Sequence, residues 1–236
     1  MKPFLNPVVL CFLVFLSAAP LHAREKDPFK NELYLGAGVG GLFSKVDFVP
    51  RVPQVYKQGV YGGISAKYIS EKYLGLIMEL NFAQRGWKEE FDPSSTDFSY
   101  SRTLNYIEIP FMTHIYFGRK ARFIVNAGPQ VSLLVGDNQK MSRALSDDVD
   151  SRRADNPGTR IGMQYEGMYE LKRIDYGLVG GIGMEFKTGV GDFDLEGRYY
   201  FGLGDVFTNR RSEEAYFSRS ASRMIEAKLT YYIRIF

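Results

Sequence analysis

The sequence predicts an all-β fold, a closed antiparallel barrel of eight up-and-down strands, on three observations. From about residue 33 onward apolar side chains recur at every second position, the period of a strand rather than a helix. Eight segments carry that period: 33–43, 58–69, 74–87, 104–117, 122–135, 174–187, 193–203 and 225–236. The connectors between them alternate, short at 70–73, 118–121 and 188–192 and long at 44–57, 88–103, 136–173 and 204–224. In an up-and-down array, alternate connectors share an end, so all the long loops gather together. No amphipathic helix of useful length competes with the strand pattern.

Residues 1–23 read as a cleaved secretory signal, with Lys2 ahead of an apolar core at 8–16, then small residues and Leu21-His22-Ala23. The charged run Arg24, Glu25, Lys26, Asp27 follows the expected cut, leaving 24–236 as one domain. The single cysteine, Cys11, lies inside the leader, so the exported chain is neither a disulfide scaffold nor a thiolate metal site. Lys2 is the only leader residue among the 30 basic side chains, which leaves 29 against 27 acidic ones. That balance excludes a nucleic-acid footprint. A mean hydropathy of −0.21 excludes a bundle of membrane helices, each of which needs about 20 consecutive apolar residues.

Each segment separates two faces. The first is glycine-rich, with Gly36, Gly38 and Gly41 in a literal G-x-G-x-x-G, but no helix pattern follows and the position expected to be acidic is Tyr61. These glycines suit close packing and curvature of a strand in a narrow barrel. The second segment carries Lys67 on its polar parity, and the third sets Leu74, Leu76, Met78, Leu80 and Phe82 against Glu79, Asn81 and Arg85. In the fourth, Glu108, Met112, His114 and Tyr116 share the polar parity; the fifth adds Arg122, and the sixth Asp175, Glu185 and Lys187. The seventh opposes Phe193, Leu195, Gly197, Tyr199, Phe201 and Leu203 to Asp194, Glu196, Arg198 and Tyr200. The eighth opposes Ile225, Ala227, Leu229, Tyr231, Ile233 and Ile235 to Glu226, Lys228, Thr230, Tyr232 and Arg234. The more apolar parity carries no charge in any segment, whereas the other carries seven cations and seven carboxylates.

Alternation alone does not say which solvent meets the apolar face. A soluble, lipocalin-like periplasmic ligand carrier turns it inward, and a transmembrane barrel turns it outward around a polar lumen. Strands of about 11 to 14 residues match a tilted bilayer span, loops are elaborated at one end only, and the chain stops on a strand. Aromatics gather toward the short-turn end at Tyr68, Tyr73, Phe117, Phe123, Phe186, Tyr231 and Phe236, as an interfacial girdle requires. These features favour the transmembrane β-barrel. In lipid an open edge costs several kcal/mol per unpaired backbone group, so the first and last strands must pair. Eight strands leave a lumen just wide enough for side chains, which the seven-to-seven ion pairs are expected to plug. Phe236 ends the chain as the aromatic terminus that barrel-assembly machinery reads, although it shares parity with Arg234 and Lys228.

The organisation resembles the PorT-like outer-membrane β-barrel family. The likeness rests on Leu104-Asn105-Tyr106-Ile107-Glu108-Ile109-Pro110-Phe111, on Gly128-Pro129, on Tyr176-Gly177-Leu178-Val179-Gly180-Gly181-Ile182-Gly183, and on Leu195-Glu196-Gly197-Arg198-Tyr199. The resemblance implies an eight-stranded outer-membrane barrel and carries over no catalytic residue; some relatives assist maturation or secretion of surface proteins. The long 136–173 loop departs from the family pattern.

No catalytic, cofactor or metal site is expected. An outer-membrane hydrolase or acyltransferase needs a base near the long loops, where Ser142, Ser146, Ser151 and Thr159 occur, but the only histidine after the leader is His114, near a short turn. His114 is expected as a hydrogen-bonded lumen residue. Asp147, Asp148 and Asp150 lack the spacing of a calcium loop and precede Arg152 and Arg153. The run Ile161, Met163, Tyr165, Met168, Tyr169 and Leu171 either extends the sixth strand or offers a contact surface. The expectation is a non-enzymatic barrel with both ends of the mature chain periplasmic. Its partners are outer-membrane lipids, the barrel-assembly machinery and, at the extracellular loops, another protein.

Overall fold

A computed structural model describes residues 29–91, 97–155, 170–208 and 217–236. The expected leader, Thr159 and the run from Ile161 to Tyr169 lie outside the described residues. Of the unit Met1–Lys30 only Phe29 and Lys30 are described, both exposed.

The unit Asn31–Phe236 is built from β1 (Glu32–Val49), β2 (Gln54–Val55), β3 (Lys57–Glu71), β4 (Leu74–Glu89), β5 (Tyr100–Gly118), β6 (Ala121–Met141), α1 (Arg143–Asp155), β7 (Ile174–Thr188), β8 (Gly191–Asp205) and β9 (Arg219–Arg234). The two-residue β2 adds to β4. The other eight strands pair antiparallel with their neighbours in sequence, and β1 pairs with β9 from Tyr34↔Arg234 to Val49↔Arg219. The cylinder is closed, which leaves the sheet no edge for hydrocarbon to strand unpaired. Each expected segment forms a barrel strand, except that residues 235 and 236 follow β9. Ile235 N–H still donates to Leu33 C=O at 2.7 Å, but alternation stops there, so Ile235 and Phe236 are both exposed.

The apolar parity faces outward. Val39, Leu195, Ile182 and Leu229 are about half exposed or more, whereas Lys67, Glu79, Arg85, Glu108, Arg198 and Lys228 are buried. A soluble carrier would show the inverse arrangement. Tyr73, Phe117, Phe123 and Phe186 stand exposed near the short turns, with the Tyr73 and Phe117 rings stacked at 6.0 Å.

The strands outrun their expected limits at the long-loop end, where β1 continues to Val49, β5 begins at Tyr100, β6 continues to Met141 and β9 begins at Arg219. The extension of β6 pairs with β5 through Tyr100↔Met141. Arg102 clamps Asp137 there with two charge-assisted hydrogen bonds of 2.9 and 2.5 Å.

The expectation of no useful helix is also corrected. Residues 143–155 form α1, which sequence periodicity misses because, among its described side chains, only Leu145 and Val149, four residues apart, are buried. Ser142 caps it, its hydroxyl accepting the Leu145 N–H at 3.4 Å.

Candidate functional site

The lumen is filled in layers, because strand alternation aims every second side chain of eight strands at one axis. Nearest the short turns, Lys67 of β3 sits 4.1 Å from the Tyr232 ring and ion-pairs with Glu185 of β7 and, at 3.2 Å, with Asp194 of β8. Arg122 of β6 holds the other Glu185 oxygen at 3.0 Å. In the middle, Arg198 of β8 binds both oxygens of Glu79 on β4 at 2.8 and 2.9 Å and Glu196 at 2.7 Å. Lys228, Asn81 and Tyr61 converge on the same Glu79 oxygen at 2.7, 2.8 and 3.2 Å. Above them Arg85 of β4 pairs with Asp175 of β7 at 2.7 Å and with Glu108 of β5 at 3.4 Å, its guanidinium stacked 3.6 Å from the Tyr106 ring. Lys67, Arg85, Arg198 and Lys228 each bridge strands that are not neighbours, whereas Arg122 ties the adjacent β6 and β7, so the plug cross-links the wall it fills.

Small residues make room for it. A Cβ at Gly38 would lie 2.5 Å from Thr230 Oγ1 and 2.6 Å from Lys228 Cε, and one at Gly181 would lie 2.4 Å from Glu196 Oε1. The expected packing role thus holds for Gly36 and Gly38, but Gly41 faces outward with no close neighbour, and Gly40 is the tight position instead.

The expected seven-to-seven charge balance does not survive inside the barrel. All seven carboxylates are buried, but of the seven cations only Lys67, Arg85, Arg198 and Lys228 are fully buried, with Arg122 close to it. Lys187 and Arg234 reach the short-turn mouth, beside an open recess of about 400 Å³, and pair with Glu32 at 3.7 and 3.2 Å. The physical reason is length: a long aliphatic stem near a strand end carries its charge out to water.

Over the ionic layers lies an apolar cap, the feature absent from the sequence reading. Val46 and Phe48 of β1, Trp87 of β4, Tyr100, Leu104 and Tyr106 of β5, Leu145 and Val149 of α1, and Val206, Phe207 and Phe217 of the last long loop pack as one buried cluster. The Phe48 ring meets Phe217 at 4.7 Å and Trp87 at 5.3 Å, the latter edge to face. Loop contacts seat the cap: Leu171 bridges to Phe207, and Val206 N–H donates to Ser220 C=O at 2.7 Å. One signal for it was present, since the inward parity of β1 turns apolar at Val46 and Phe48, just past the expected end of the strand.

The side chains weighed for chemistry are placed as follows. His114 is fully buried, and its Nδ1 is 2.8 Å from Asn126 Oδ1, as expected for a lumen histidine. Asn126 in turn donates to Glu196 at 2.8 Å. Ser142 is a helix cap, and Ser151 Oγ donates to Asp147 C=O at 2.8 Å within α1. Asp148 pairs with Arg152 one turn along the same helix at 2.8 Å, so this charge run is helical rather than a loop.

A closed cylinder of strands, apolar outside and filled with ion pairs inside, defines a small membrane-spanning β-barrel. Residues 23–208 match the family described as outer membrane protein beta-barrel domain, and the chain belongs to that family, whose place is the bacterial outer membrane. Among solved structures it is similar to Neisserial surface protein A, at 13% identity over 86% of this chain and 99% of that one, with a TM-score of 0.45. It is also similar to Ail, the attachment invasion locus protein of Yersinia pestis, solved with the heparin analogue sucrose octasulfate (12% identity, 87% of this chain, 100% of that one, TM-score 0.43). OprG from Pseudomonas aeruginosa matches at 7% identity over 86% of this chain and 96% of that one, with a TM-score of 0.44. No curated protein matches the chain at a significant level.

Proposed function

We propose that this barrel is a non-enzymatic outer-membrane protein of the PorT-like branch. It acts in envelope structure or in support of surface-protein interaction and secretion through its long loops. The observation that carries the reading is the double closure of the lumen. Ion pairs that bridge strands fill the axis, and the cap of Phe48, Trp87, Phe207 and Phe217 covers them, so elaboration is invested in the loop end rather than in a passage. The enzymatic alternative lacks support: His114 is enclosed among lumen residues, and Ser142 and Ser151 serve α1. In this reading the leader is cut after Ala23, both mature ends are periplasmic and the long loops are extracellular, where α1 presents Asp148 and Arg152 to a protein partner.

Purified barrel in planar bilayers is expected to give no unitary ion conductance, and sustained channel steps would overturn the sealed-lumen reading. In cells, a photo-crosslinker at Ser151 is expected to trap one surface or secreted protein, and an epitope after Phe236 to stay hidden from external antibody. Surface labelling of that epitope would reverse the orientation. Hydrolysis of lipid or peptide substrates by the pure barrel would restore the enzymatic alternative.

A further inference from the structure

The outward face of β8, β9 and β1 carries an unusual row at the long-loop rim. Phe201 lies opposite Arg223, and Arg223 opposite Lys45, so two cations are direct cross-strand neighbours. Like charges in that relation destabilise a sheet. The rings at either end of the row take up one cation each: the Arg223 guanidinium stacks 3.8 Å from Phe201, and Lys45 Nζ lies 5.1 Å from the Tyr56 ring. Arg219, two strand positions beyond Ala221, adds a third cation at the rim. Two carboxylates share this face, and both are engaged. Asp47 receives Arg223 at 3.3 Å and Arg219 at 3.5 Å, and Asp205 accepts the Ser220 N–H at 2.7 Å. Among the described residues, Lys45 has no carboxylate partner. Arg223 is buried, and its guanidinium is taken up by Gly202 C=O and Ser222 C=O at 2.8 and 2.9 Å and by Asp47, so it backs the row while the exposed Arg219 and the half-buried Lys45 stand at its surface.

Depth decides the kind of anion. Tyr231, in the short-turn region, and Arg223 are eight positions apart on β9. At about 3.4 Å per residue and a strand tilt of about 40°, that is about 20 Å of membrane normal. The cation row therefore stands at the opposite boundary of the apolar belt. Directly below it Phe43, Ile225 and Tyr199 are exposed, a bed for acyl chains. Farther round the barrel the rim of β5 offers Ser101, Thr103 and Asn105 instead. We propose that Lys45 and Arg219, backed by the buried Arg223, bind the phosphate of a membrane lipid headgroup whose chains lie over Phe43 and Ile225.

The test is native mass spectrometry of the full barrel released from neutral detergent, offered dioleoyl phosphatidic acid, dioleoylglycerol or inorganic phosphate. Retention of phosphatidic acid is expected to exceed that of dioleoylglycerol by about twenty-fivefold, two basic side chains near a membrane surface contributing about fivefold each. Lys45→Gln and Arg219→Gln should each lower retention about fivefold, while Lys140→Gln, on the exposed end of β6, should leave it unchanged. Equal retention of the two lipids, or wild-type retention by Lys45→Gln, overturns the proposal. Displacement of the lipid by an equal concentration of inorganic phosphate overturns it too, in favour of a small-anion site. Folding of each variant is read from its heat-dependent gel shift. If Arg219→Gln, which also breaks the Asp47 pair, fails to fold, Lys45→Gln decides, because Lys45 has no carboxylate partner among the described residues.

Discussion

Arg198 shows how much one side chain holds together. Its guanidinium ties Glu79 on β4 to Glu196 on its own strand, with all three buried. Removing one partner of a buried ionic group strands the other charges, at a cost of about 3–5 kcal/mol. Arg198→Leu is therefore expected to lower folded stability by that amount, read as the urea midpoint of the gel-shifted barrel. Arg234→Gln breaks a half-exposed pair with Glu32 and should cost less than about 1 kcal/mol. If the two variants shifted the midpoint equally, the ionic layers would not stabilise the barrel. Parity in the sequence separates Arg198 from Leu195, but it treats Arg198 and Arg234 alike. Only their positions along the axis distinguish an enclosed charge from one that reaches water.

At the scale of elements, the strands were legible because a period of two needs only the residue order, and the same parity sets which face meets lipid. Leu195 stands exposed on β8, two positions above the Phe193–Tyr231 pair of the short-turn region, so Leu195→Arg should impair assembly by about 1–3 kcal/mol, between the interface and midplane costs. Ser151→Arg, on an exposed position of α1, should be tolerated. Equal recovery of both variants in the outer-membrane fraction would contradict the lipid-facing assignment. Helix α1 was not legible. Its sequence is rich in charge, and it is held by Leu145, Val149 and the Ser142 cap, features that count only when the barrel mouth is there to receive them. Ser142→Ala should remove about 1 kcal/mol from this helix. The expected result is faster amide exchange across 145–152 with the strands unchanged, and unaltered exchange would show the cap to be dispensable.

Across the whole molecule, closure, plug and cap form one stack along a single axis, and the chain's one tryptophan, Trp87, reports on it from within the cap. Its emission is expected to be blue-shifted, and to resist quenching both by iodide and by brominated lipid, since the ring is buried from water and separated from hydrocarbon by the wall. Quenching by either agent would mean that the cap is open or that the strand is turned over. The bare sequence determined the number of strands, the face each shows to lipid and the end that bears the long loops, because alternation and connector length are local properties of the chain. Tertiary structure alone decided which charges share the axis, which escape at the mouth, and that Phe48, Trp87, Phe207 and Phe217 meet as a lid. Those contacts join residues far apart in the chain, and they exist only once the first and last strands have paired and given the inward side chains a common interior.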